Sequence, residues 1–363
     1  MNACATSHTM LHKNLRLFYV LILALAAGPM LAGAAHIRGD RLIISTASRP
    51  QGKQIYLASD LQRWSATRTL MTEARPGAYE INLPIPWAPQ IQYKFVENGE
   101  WHQDIENPHT TADGHGGLNS IVLLPPPPDP PELHPSGHNA NWAINRFFLA
   151  GPASGSLEIM VLSPPERPDR TGHTLKTIYV NDGGDFADQT GLRNLVAHRT
   201  TQVRPAFYRI VLIHPRNRLH EYFFSGAYAD WFHDRLIPAV EARTGVADSP
   251  ADRVYLGASL GGLAALFHAA RWSADFSRII AQSPSLQLAA PEQLNWLLNE
   301  LARSTTGIQI DISAGIYESA ELYDAASLAT AALKTHSPPA TFTAFPCMHH
   351  WTGWNLQLPT YLP

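Results

Sequence analysis

The stretch Arg253-Val254-Tyr255-Leu256-Gly257-Ala258-Ser259-Leu260-Gly261-Gly262-Leu263-Ala264-Ala265-Leu266 reads as a strand, a G-x-S-x-G turn and the start of a helix. In that context the five-residue pattern has chemical meaning. It places the Ser259 hydroxyl on a strained, exposed turn, with glycines where a Cβ would collide. The plainer alternative is a serine that caps the helix. A serine hydroxyl is a poor nucleophile until a base takes its proton. Nucleophilic use of Ser259 therefore requires a histidine oriented by a carboxylate, expected in the order serine, acid, histidine.

Downstream histidines are His268 in the helix after the turn, His336 before Pro338, and the pair His349-His350 just past the last predicted strand. His349 is the expected base, because strand-end loops present such a group and Trp351 and Trp354 can anchor the loop by packing. His350 is the competitor, and a paired-histidine metal site is the other possibility. No third and fourth ligand stand at recognisable spacing, so neither a metal nor a cofactor is expected. For the acid, Glu318 lies nearest the end of the predicted strand Gln309–Ala314. Glu321 and Asp324 are expected on the following helix as solvated charges, with Asp324 the second choice. Acyl transfer also needs amide donors for an oxyanion. Leu260, the residue after the serine, is one candidate, and the strand-to-glycine segment Thr177 to Asp185 offers Gly183 and Gly184. A turn with glycine at positive φ is the bland reading of the same segment.

These residues need elements to hold them. The chain has 363 residues, 45% hydrophobic and 16% charged, which fits two folded domains and excludes a disordered chain or a coiled coil. A net charge of −3 gives no basic field to recruit nucleic acid or anionic lipid. Lys13 and Arg16 precede an apolar run, Leu17 to Ala27, and small residues ending Ala32-Gly33-Ala34-Ala35. That is the layout of a signal peptide, with an apolar run shorter than the roughly 20 residues of a spanning helix. Residues 1–34 are expected to be removed, leaving a periplasmic or extracellular protein without a membrane anchor. Cys4 would leave with them, and the remaining Cys347 cannot form an internal disulfide.

Leu123 to Pro135 is a proline-rich stretch that reads as a stiff linker, placed at 125–137. Before it, residues 36–124 alternate short β-type runs, Arg41–Thr46, Gln54–Ala58, Gly77–Leu83, Ile91–Val96 and Ser120–Leu124, with turns. After it, residues 138–363 alternate strands with helices, the α/β pattern of a parallel sheet covered by helices. The predicted strands there are Leu157–Leu162, Thr177–Asn181, Tyr208–His214, Arg253–Gly257, Arg278–Ala281, Gln309–Ala314 and Thr341–Phe345. The predicted helices are Tyr228–Arg243, Gly261–Arg271, Pro291–Arg303 and Ala320–Lys334.

From about Asn139 to Trp354 the chain resembles an esterase family of α/β-hydrolases that includes enterochelin-type siderophore esterases and feruloyl or acetyl-xylan esterases. The similar pieces are Val180-Asn181-Asp182-Gly183-Gly184, Arg216 to Tyr222, Leu236-Ile237-Pro238, the Ser259 turn, Gln282-Ser283-Pro284-Ser285, Gly315-Ile316-Tyr317-Glu318 and His349-His350-Trp351. The resemblance implies a mostly parallel sheet, Ser259 as nucleophile, Glu318 as acid and His349 as base. It also places Arg218 near the substrate cleft, where it would meet an acidic or phenolic group or, alternatively, brace the loop with Glu221. Where the family usually has Gly-Gly-His-Asp, this chain has Cys347-Met348-His349-His350, which predicts a different loop path. Cys347 itself reads as a small buried filler.

Residues from about Gln54 to Leu124 resemble glycogen- and starch-binding modules, implying a small all-β immunoglobulin-like sandwich. Trp64, Lys94, Trp101 and Asn119 stand where sugar-binding members meet the glucan. An indole face covers a pyranose while Lys and Asn bond its hydroxyls. The same tryptophans also suit a core, and the module a lid or packing partner. With the signal-peptide layout indicating export, the two resemblances together imply a serine esterase acting on a small-molecule or polysaccharide ester, first a feruloyl or acetyl group on a carbohydrate, with glycan binding by the first module. A siderophore trilactone esterase is the alternative, and an inactive glycan-binding protein is the reading from another class.

Overall fold

The computed structural model describes residues 35–47, 49–135, 142–153, 155–164, 175–202, 205–245, 248–303, 307–334 and 340–362. The expected signal peptide, the last two residues of the expected linker, residues 138–141 and His336 lie outside the described residues. The chain divides into two compact units. One comprises Met1–Leu57, Ala66–Pro84 and Lys94–Ile121, and the other Ala58–Ser65, Ile85–Tyr93 and Val122–Pro363.

Between Ala35 and Pro125 the described regular structure is strand, apart from one 3-10 turn at Asp60–Gln62. A four-stranded antiparallel sheet runs His36–Arg38, Arg41–Thr46, Ala78–Pro84, Thr72–Arg75. Leu42, Ile44 and Thr46 are buried while their neighbours are not, the period of two that turns one face inward. A second sheet runs Ile55–Ser59, Gln90–Glu97, Leu118–Leu123, Thr110–Ala112, with Glu100–His102 paired to Gln90–Glu97. The strands Thr72–Arg75, Glu100–His102 and Thr110–Ala112 are short and contain no buried residue, so they carry no apolar signal.

The second unit is built on an eight-stranded sheet. Its order is Ala143–Ala150, Ser156–Ser163, Phe207–His214, Leu175–Val180, Arg253–Ala258, Arg278–Gln282, Gln309–Gly315, Ala340–Phe345. The last six are parallel, but the first two pair antiparallel with each other and the second of them pairs antiparallel with Phe207–His214, so the sheet is mixed. The reason is local. Only residues 151–155 join Ala143–Ala150 to Ser156–Ser163, a hairpin length, whereas a parallel neighbour needs a crossover of a dozen residues or more. Interior strands such as Arg253–Ala258 are buried at every position, as expected where helices cover both faces. Alternate residues feed two cores. Tyr179 packs with Phe232, Tyr255 and Phe276 on one side, while Ile178 and Val180 pack with Phe186, Leu212 and Leu256 on the other.

Pro291–Arg303 and Ala320–Lys334 are helical as expected. The single helix expected at Tyr228–Arg243 is instead Gly226–Trp231, a π-helical turn Phe232–Leu236, and Ile237–Thr244. Pro238 has no amide to give to the preceding turn, so the regular ladder breaks there.

The end of the helix Leu260–Arg271 holds a buried polar cluster. His268 Nε2 is 2.8 Å from Asp275 Oδ2, and His233 Nδ1 is 2.9 Å from both Asp275 oxygens. With Nε2–H directed at the carboxylate, His268 Nδ1 has no partner, so a second proton there would be buried unbonded. Burial holds this imidazole below its usual range. The unfolded chain therefore binds the extra proton, and the stability that neutral His268 contributes is lost as pH falls below the unfolded value of ~6.5. Urea unfolding should give a smaller free energy at pH ~5.5 than at ~7.5, and His268→Gln should shrink that difference. An unchanged pH dependence in the variant would remove His268 as its source.

Candidate active site

Ser259 sits between the strand Arg253–Ala258 and the helix Leu260–Arg271 with φ 56° and ψ −124°, a conformation L residues avoid. Its amide donates to Gln282 O at 2.9 Å, and its carbonyl accepts from Leu263 N and Ser285 N, each at 3.1 Å. Glycine is required at 257, because a Cβ there would collide with the Gly261 carbonyl.

Three side chains meet in series. Ser259 Oγ lies 3.0 Å from His349 Nε2, and His349 Nδ1 lies 3.2 Å from Glu318 Oε1. Glu318 is 3% exposed and also accepts the Ser283 hydroxyl at 2.6 Å, which in turn accepts Trp354 Nε1–H at 3.1 Å. The imidazole stands edge-on to Trp354, which packs on Trp351, which packs on Phe186. His350 serves the backbone instead, since its Nδ1 accepts the Thr352 amide and caps the helix Trp351–Tyr361. Asp324 and Glu321 are exposed on the helix Ala320–Lys334. Cys347 is buried, and burial together with the nearby Glu318 charge pushes its thiol up to about 12, so it stays protonated at neutral pH. A hydroxyl, an imidazole and a buried carboxylate in this order can move a proton off oxygen while oxygen attacks an electrophilic carbon.

The glycine segment lies beside the Ser259 turn. Asn181 Nδ2 donates to Gly261 O at 2.9 Å, and Asn181 Oδ1 accepts from the hydroxyls of Tyr228 and Tyr255. Asp182, in the left-handed region at φ 54°, precedes the helix Gly183–Gln189. As the first residues of their helices, Gly183 and Leu260 have amides with no intrahelical acceptor, and Gly184 follows in the same turn. Arg218 does not pair with Glu221. Its Nε and a terminal nitrogen hold both Asp182 oxygens, at 2.6 and 2.8 Å, while Glu221 accepts the Arg216 amide. Burial raises Asp182 above the usual carboxylate range, against the pull of Arg218.

Of the four residues proposed to face sugar, Lys94, Trp101 and Asn119 fall in the first unit and Trp64 in the second. Lys94 is largely buried and donates to Asp113 at 2.6 Å, a bond that holds Asp113 well below its usual range. Asn119 is buried, Trp64 donates to Asp60, and Trp101 is 43% exposed. Among the described residues no group of three or more His, Cys, Asp or Glu is placed to hold a metal ion.

Residues 154–363 match the family described as "Putative esterase". The chain belongs to that family, and it is a carboxylic ester hydrolase. Among solved structures, the enterochelin esterase of Shigella flexneri aligns at 18% identity over 92% of this chain and 95% of that one, with a TM-score of 0.61. The ferric enterobactin esterase of Salmonella typhimurium aligns at 16% over 92% and 96%, TM-score 0.59, and a ferulic acid esterase at 16% over 61% and 96%, TM-score 0.51. At these identities the likeness is one of fold. A search of curated protein sequences found no match.

Arg218→Ala would leave the buried Asp182 carboxylate without its charge partner. Because the guanidinium is partly solvated, a loss of about 1–3 kcal/mol is expected in chemical unfolding. An unchanged midpoint would show that Asp182 finds other partners.

Proposed function

We propose that the protein is an exported serine esterase in which Ser259 attacks the ester carbonyl, His349 Nε2 takes its proton, and Glu318 holds the imidazole by Nδ1–H. The amides of Leu260 and of Gly183, with Gly184 beside it, receive the oxyanion. Collapse of the tetrahedral intermediate expels the alcohol with the proton from His349, and water then cleaves the acyl-enzyme by the same route. The observation that carries this proposal is the unbroken series from Ser259 Oγ to Glu318 Oε1. Export rests on residues 1–34 as a signal peptide.

For the substrate, a catecholate trilactone of the enterochelin type is favoured. The likeness to enterochelin esterases runs over 92% of this chain, against 61% for the ferulic acid esterase. Within the sugar-facing set, Lys94 is already engaged by Asp113 and Trp64 by Asp60, and Asn119 is buried. A feruloyl or acetyl group on a carbohydrate is the second possibility, favoured by the exposed Trp101 indole. Against an inactive glycan-binding protein stands the 3.0 Å approach of His349 to Ser259, reached with neither Cys347 nor Met348 at positive φ.

Purified mature protein offered the trilactone, feruloylated xylan oligosaccharides and acetylated xylan should open the trilactone, read by mass, and Ser259→Ala should not. Release of ferulate or acetate alone would overturn the substrate assignment, and turnover by Ser259→Ala would overturn the nucleophile. Glu318→Gln should slow kcat by about 10²–10⁴-fold, and a near-wild-type rate would remove Glu318 as the orienting acid. The intact mass of exported protein should place its first residue at Ala35, and a retained leader would contradict cleavage.

A further inference from the structure

The segment Gln282-Ser283-Pro284-Ser285 has no role in the reaction as written, yet it is bonded to the nucleophile three times. Gln282 O accepts the Ser259 amide, Ser285 N donates to Ser259 O, and Ser285 Oγ lies 3.2 Å from Ser259 Oγ. Ser285 is 4% exposed, so bulk water has little access to its hydroxyl.

Proton counting settles the direction of the hydroxyl contact. With Glu318 ionised and able only to accept, the hydrogen of the neutral imidazole is on His349 Nδ1 and Nε2 is a bare lone pair. The Ser259 hydroxyl has one hydrogen, and Nε2 takes it. The contact between the two serine oxygens is then a hydrogen bond only if Ser285 donates.

We propose that Ser285 is a further catalytic residue, whose O–H donates to Ser259 Oγ and holds the rotamer in which the Ser259 proton lies on His349 and one lone pair is left for the carbonyl carbon. The proposal rests on Ser259 as the nucleophile. Where proton transfer to His349 runs ahead of C–O bond formation, Oγ takes on alkoxide character and the bond from Ser285 strengthens. Once Oγ is an ester oxygen it is a poorer acceptor and the bond weakens. A contact that is stronger in the transition state than on either side of it accelerates the step.

The test is the rate at which a small fluorophosphonate labels Ser259, followed by peptide mapping, beside kcat and KM for a small aryl ester. Ser285→Ala should lower the labelling rate and kcat together by about two- to tenfold, the worth of one neutral hydrogen bond, with KM unchanged. Ser285→Thr keeps the hydroxyl and should recover most of the rate. Ser285→Cys, a weak donor in nearly the same space, should fall between. Wild-type labelling by Ser285→Ala would overturn the proposal while leaving Ser259 as nucleophile. If Ser285→Ala does not fold, wild-type labelling by Ser285→Cys overturns it equally. Failure of the wild-type enzyme to label at Ser259 would instead sink the nucleophile assignment beneath it.

Discussion

The backbone of Ser259 is the constraint on which the rest of the site depends. A non-glycine residue at φ 56°, ψ −124° is held against its own preference, at a cost of order 1–3 kcal/mol. Hydrogen bonds to both its amide and its carbonyl hold it there, and two of the three come from Gln282 and Ser285, where the neighbouring strand ends. The nucleophile is therefore positioned by two segments at once.

Parallel pairing distributes the other parts. Ala258 stands opposite Gln282, Gln282 opposite Ser313, and Gly315 opposite Phe345. Four successive strands thus end at one edge of the sheet, and the chain leaving each supplies one component: Ser259, the pair Ser283 and Ser285, Glu318, and His349. On the other flank, Leu175–Val180 pairs with Arg253–Ala258 and leads into Asn181 to Gly184. In a parallel arrangement all carboxyl ends lie on one side, so groups far apart in sequence converge there as a consequence of topology. The antiparallel pair at the far edge widens the sheet without adding a residue to this set.

Much of this was legible where one pattern dominated locally. Arg41–Thr46 shows alternation, Pro291–Arg303 and Ala320–Lys334 show helical spacing, and each begins and ends where expected. Chain order and strand ends narrow the choices to Ser259, Glu318 and His349, whose side chains the fold brings within hydrogen-bond reach of one another. Ala143–Ala150 lies outside the expected strands because Asn145 and Arg146 cut its apolar run to Phe147–Ala150, and Trp351–Tyr361 outside the expected helices because Gly353 and Pro359 disguise a helix. Asp182 and Arg218 are 36 residues apart with no periodic relation, so only the fold reveals the pair. Ser283 and Ser285 flank a proline and read as ordinary turn residues. Their value lies in what stands opposite them.

The loop bearing His349 lacks the glycine pair usual in the esterase family, yet it brings the imidazole to both of its partners. The esterase family usually has two glycines where this chain has Cys347 and Met348, and the loss predicted another path. Neither residue needs positive φ here, so the freedom of glycine is not used. The room comes from outside the loop: a Cβ on Gly353 would lie 2.6 Å from Cys347 Cβ, and one on Gly315 would collide with Cys347 O. Amides of Ile316 and Tyr317 donate to Phe345 O and Cys347 O, tying the segment that carries Glu318 to the one that carries His349. Gln357 donates to the sulfur. A thiolate at 347 would place a second negative charge behind Glu318, and burial prevents this by keeping the thiol protonated. A small neutral side chain packed against two glycines therefore lets this loop close without positive φ, and the imidazole holds both partners.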